Sequence, residues 1–165
     1  MVKRWRTSQP PDDIEYSLSE MPEYAIDELK RFSESDPEPV VVFYGGEPLL
    51  ATDLMVQLMD EIKAKAFIVQ TNGTLLHKLD PMHLKMLHTI AVSLDGDEKQ
   101  TDLNRGAGTF KKVLENLRWA RKQGFEGEFI ARMTVMEPLD IYQQVRWLVE
   151  NDENHEKRGF PIHEV

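Results

Sequence analysis

Four stretches of this chain are almost wholly apolar and rich in β-branched residues: VVVFY (Val40–Tyr44), AFIVQT (Ala66–Thr71), TIAVSL (Thr89–Leu94) and EFIARMTV (Glu128–Val135). The first three are short and nearly continuous, the pattern of strands buried on both faces of a parallel sheet. In the fourth, Arg132 and Thr134 interrupt the run, so one of its faces is expected to be polar.

The segments between them repeat with helical period. FKKVLENLRWARKQG puts Phe110, Val113, Leu114, Leu117 and Ala120 on one stripe, after a Gly108–Thr109 start and before a Gly124 stop. ATDLMVQLMDEIKA carries Leu54, Leu58 and Ile62 on one face, with Thr52 or Asp53 available to cap it. PEYAIDELKRFSES, the short PMHLKMLH and LDIYQQVRWLVEN read as three more helices. Strands alternating with helices predict right-handed βαβ units and an α/β fold with a parallel sheet. The interval before the fourth strand is longer, and its surplus, DGDEKQTDLNRGAG, reads as a loop of the kind that carries function. RGFPIHEV resembles the start of a fifth strand, and the first strand lacks a partner before it. The pattern reads as the middle of a larger sheet within a single incomplete domain.

Composition narrows the function. The chain has 165 residues, 41% of them hydrophobic, and a net charge of −9. Its basic cluster, Lys3 to Arg6, is a short stretch in an acidic chain, so nucleic acid is not the expected partner. No apolar run approaches the ~20 residues needed to span a bilayer. The N-terminal residues lack a secretory signal's apolar middle, so a cytoplasmic location is expected. There is no cysteine, and the five histidines (His77, His83, His88, His155, His163) form no metal-ligand spacing. The acidic set Asp95, Asp97, Glu98 and Asp102 lacks the spacing of a calcium loop and reads as a solvated turn.

Parallel α/β folds bind ligands at the carboxyl ends of their strands. There this chain places GGEP, then QTNG, then SLDG. Each tripeptide alone is an ordinary strand-ending turn. Glycines expose backbone to a ligand, and carbonyls beside the Glu47 carboxylate form a group of acceptors. Acceptors suit an ammonium rather than a phosphate, which needs N–H donors.

Taken in order, FYGGEPLL, VQTNGTLL, VSLDGDEKQTDLNRGAGTF and ARMTVME resemble the radical S-adenosylmethionine (SAM) enzymes over Val40 to Met136. The resemblance implies a portion of a partial (β/α)6 TIM-like barrel, its strands two to five. It implies that Gly45, Gly46 and Glu47 hold the methionine ammonium of SAM, and that Asn72 lies near the cofactor. Ser93 and Asp95 match positions close to the ribose and carboxylate, and Arg105 matches an arginine that pairs the carboxylate. The SLDG…NRG.GTF pattern is most similar to the enzymes that modify peptides and proteins, alongside sulfatase maturases. Where relatives often carry His-Asp, this chain has Thr101-Asp102.

The family's [4Fe–4S] cluster sits on three cysteines, and iron–sulfur ligation needs thiolates. The cluster is therefore expected in the parent protein only, with this chain inactive alone. Either the cysteine loop lies upstream, or the protein is a cluster-less module that keeps SAM or nucleotide binding. An open sheet edge is expected to favour self-association. The whole assignment requires Gly45–Glu47, Asn72, Ser93 and Arg105 to share one rim of the sheet; an unrelated α/β protein would scatter them.

Overall fold

The computed structural model describes residues 26–135 and 140–150. The Lys3–Arg6 cluster, His155, His163 and the RGFPIHEV segment lie outside the described residues. The element order is α1 (Ile26–Ser33), β1 (Val40–Phe43), α2 (Thr52–Glu61), β2 (Ala66–Thr71), α3 (Pro81–Met86), β3 (Leu87–Ser93), α4 (Glu98–Arg105), α5 (Thr109–Lys122), β4 (Glu128–Arg132) and α6 (Ile141–Glu150). The strands form one sheet in the order β1-β2-β3-β4. All three pairings are parallel, running from Val40 beside Ala66 to Ser93 beside Arg132. The α/β class and its alternating units are as the periodicity predicts.

The sheet is covered on one face. Phe67, Val69, Ile90, Val92 and Phe129 are buried there beneath Met55, Met59, Leu84, Val113, Leu117 and Ala120. This overturns the expectation that the first three strands are buried on both faces. Only β3 approaches that pattern; β2 alternates, and on β1 Val40 and Val42 are 51% and 54% exposed. Among the described residues, no helix covers the face of β1 that carries Val40 and Val42. Ile130 stands exposed on β4 in the same way.

The DGDEKQTDLNRGAG stretch contains a helix, α4, where a loop is expected. Asp97 caps it, its carboxylate accepting the Gln100 N–H at 2.7 Å. Gly106 (φ 107°) ends it, with its N–H bonded to the Asp102 carbonyl. The Asp102 carboxylate then reaches forward to accept the N–H groups of Gly108 (2.7 Å) and Phe110 (2.8 Å). These bonds hold Asp102 below the usual carboxylate range, and they fasten the end of α4 to the start of α5. On α2, neither expected cap acts as one: Ala51 holds the N-cap position, and the Thr52 hydroxyl donates to the Leu49 carbonyl. At the far end of α5, Arg121 donates to the carbonyls of Phe125 and Gly127 and lies over the Phe125 and Phe129 rings. Burial lowers its pKa.

Candidate functional site

Parallel pairing puts the carboxyl ends of all four strands on one rim. Gly45–Glu47 follow β1, Asn72 follows β2, Ser93 closes β3 in register with Arg132, and Asp95 lies two residues further on. The residues named from the sequence therefore share one edge of the sheet. They gather into two corners.

The first corner joins β1 to β2. The Glu47 carboxylate accepts the Thr71 hydroxyl (2.7 Å), the Asn72 N–H (2.7 Å) and the Leu49 N–H (3.1 Å). It points at neighbouring backbone, and what the loop leaves open is the main chain of Gly45 and Gly46, where an added Cβ would meet nothing within 4 Å. The Asn72 side-chain oxygen accepts from the N–H and hydroxyl of Thr74, so it closes its own turn. Gly73 (φ +77°) has no room for a side chain: a Cβ would lie 2.6 Å from Val92 Cγ2.

The second corner joins β3 to β4. Asp95 is completely buried, which corrects the reading of this acidic stretch as solvated for that residue, while Glu98 is exposed. Its carboxylate accepts from the Thr134 N–H (2.7 Å), Arg105 Nη2 (2.8 Å) and Asn104 Nδ2 (3.1 Å). Arg105 Nη2 also reaches the Thr134 hydroxyl at 3.3 Å. Its Nε is buried with no hydrogen-bond partner among the described residues. A buried cationic donor left unmatched is costly, so it marks a place for a ligand acceptor. Thr101 is buried; its hydroxyl accepts the Asp95 N–H and donates to the Gly96 carbonyl.

Sequence reading missed Thr71 and Asn104 and assigned no site role to Thr101 or Thr134. Thr101 gave a signal as a departure from the family's His-Asp pair, and Thr134 as a polar interruption of an apolar strand. No group of three or more metal-ligating side chains occurs among the described residues. No helix among them is long and apolar enough to cross a membrane.

Comparison with known proteins identifies the fold and the family. The Fe-coproporphyrin III synthase of Methanosarcina barkeri is 33% identical over 105 residues, covering 61% of this chain and 25% of that protein. The AdoMet-dependent heme synthase of Nitratidesulfovibrio vulgaris is 26% identical over 122 residues, covering 68% of this chain and 33% of that protein. The chain thus spans a quarter to a third of these two relatives. Among solved structures, histidine-tagged anSMEcpe with bound AdoMet superposes with a TM-score of 0.64 at 23% identity, over 86% of this chain and 41% of that one. Native anSMEcpe with bound AdoMet and the Kp18Cys peptide gives 0.61 at 24%, over 77% and 39%. At these identities the likeness is one of fold. The family uses SAM and a [4Fe–4S] cluster, and this chain has no cysteine to ligate the latter. The model of the radical SAM superfamily matches residues 8–141, and the chain belongs to that superfamily.

Proposed function

We propose that this chain is the SAM-binding core of a radical SAM enzyme that modifies a peptide or protein. The observation that supports it most is the second corner, where Arg105 keeps a buried Nε with no partner among the described residues. An amino-acid carboxylate supplies the acceptor that this nitrogen lacks. On this reading the bare backbone of Gly45 and Gly46 receives the SAM ammonium, and Arg105 pairs its carboxylate. Ser93 and Asn72 line the nucleoside side. Glu47 and Asp95, both engaged with protein donors, are positioning residues that hold the loops in place. When bound, SAM supplies the radical chemistry of the family.

The residues fit SAM and do not fit the cluster, so no step is assigned to the cluster. Anaerobic treatment with iron and sulfide is expected to yield no [4Fe–4S] absorbance. The second reading is a module that binds SAM or a nucleotide with no cluster of its own, and a CxxxCxxC run encoded upstream would decide against it.

Calorimetric titration tests the site. SAM is expected to bind more tightly than methylthioadenosine, which lacks the amino-acid group, and Arg105→Ala is expected to abolish the difference. Equal affinities in the unsubstituted chain would remove the reading. The peptide substrate is supported by the peptide present in anSMEcpe. The two synthases support a tetrapyrrole instead. A Soret shift on adding Fe-coproporphyrin III, with no response to peptide, would decide for the latter. Pairing of copies along the β1 edge is a further expectation, and a dilute monomer on size exclusion removes it.

A further inference from the structure

We propose that Gln144, on α6, is a positioning residue for Arg105, so that the seating of α6 tunes the grip on a carboxylate at the rim. The proposal rests on the SAM-binding reading above. Gln144 Oε1 accepts the Asp97 N–H at 2.9 Å. Its approach requires glycine at position 96 (φ +115°), where a Cβ would stand 2.0 Å from that same oxygen.

The sequence explains why this contact matters. Asp97-Glu98-Lys99-Gln100 has the spacing of a capping box, in which the fourth residue's side chain turns back to the cap residue's N–H. Here Gln100 does something else. Its Nε2 donates to Asn104 Oδ1 at 3.2 Å, and Asn104 Nδ2 donates to the Asp95 carboxylate that holds Arg105. The N–H that Gln100 would ordinarily satisfy is taken by Gln144, 47 residues away. Gln100 is thus free to orient Asn104 because α6 supplies the substitute acceptor. Remove that acceptor and Gln100 returns to Asp97, releasing Asn104 and loosening Asp95.

The turn offers a second route. The Gly96 carbonyl accepts from Thr101, whose hydroxyl accepts the Asp95 N–H. The seat of α6 does not depend on Gln144 alone, since Trp147 meets the Phe110 ring edge-on at 5.8 Å and Leu148 is buried. Loss of the Gln144 contact is therefore separable from loss of the helix.

Gln144→Leu keeps the bulk and removes the acceptor, while Gln144→Glu keeps an acceptor. We expect Gln144→Leu to weaken SAM binding about fivefold, the scale of one hydrogen bond, with methylthioadenosine unchanged. Gln144→Glu should restore the SAM affinity. A second readout needs no ligand: the Arg105 Nε–H proton, followed by NMR, should exchange with solvent faster in Gln144→Leu than in the unsubstituted chain or in Gln144→Glu. Unchanged exchange overturns the proposal. So does equal weakening of both ligands, which would mean general damage to the rim. If Arg105→Ala fails to separate the two ligands, the carboxylate reading falls, and the exchange measurement still judges Gln144.

Discussion

Two carboxylates anchor the two corners of the rim, in opposite electrostatic company. Glu47 is surrounded by neutral donors, a hydroxyl and two backbone N–H groups, and its charge is spread into their dipoles. Asp95 is fully buried and faces a guanidinium whose side chain is only 22% exposed. The first arrangement is a crosslink between β1 and β2 that tolerates a weaker partner. The second is a charge pair that holds only while both members are present, because losing one strands the other away from water.

That contrast orders the expected effects. Asp95→Ala leaves Arg105 without its counter-charge and should destabilise by about 3–5 kcal/mol, read from denaturant midpoints. Glu47→Ala leaves neutral donors unmatched at a less buried site and should cost about 1–3 kcal/mol. If Glu47→Ala proves the more damaging of the two, the distinction between the corners is wrong.

The smallest effect lies off the rim, where His83 offers a third kind of carboxylate company. Its ring is buried between Asp80 (Nδ1, 2.5 Å) and Asp60 (Nε2, 3.0 Å), joining α2 to α3. Burial pulls its pKa down, but the hydrogen bonds it donates to the Asp60 and Asp80 carboxylates outweigh that and raise it above 6.5. Desolvation pushes Asp80 up, and its bonds with His83 and Met82 bring it below 3.8. His83 therefore stabilises fully below pH 6.5, and the gain fades as pH rises through its raised folded value. Asp80 stabilises above pH 3.8, and its gain fades as pH falls through its lowered one. The pair is strongest between these limits. A His83→Gln variant should flatten the fall in thermal stability as pH rises above 6.5, where the His83 contribution is otherwise lost, and an unaltered profile there would show that the ring stays neutral.

Much of the fold was legible because burial on the covered face is periodic. β2 has the bounds its apolar run implies, and α5 starts and stops at its glycines. Two features were not. The β1 run reads as doubly buried because composition does not reveal that, among the described residues, helices cover one face alone. α4 escapes a hydrophobic pattern because Thr101 is its one buried residue and its large apolar residue, Leu103, points to solvent. Caps make that helix, and caps read as turns. At the site, residue types along the rim were visible, yet their partners were not. Thr71 lies 24 residues from Glu47 and Thr134 lies 39 from Asp95, separations at which pairing depends on register.

The Asp102 bridge has a practical consequence for anyone rebuilding this surface. By clasping Gly108 and Phe110 from the preceding helix, it turns the elbow at Gly106 into a splint. An inserted residue there would not be absorbed as slack; it would swing α5 and, through Val113 against Gly73, disturb the turn after β2. Grafts should treat residues 95–110 as one indivisible cassette and place their joints outside it.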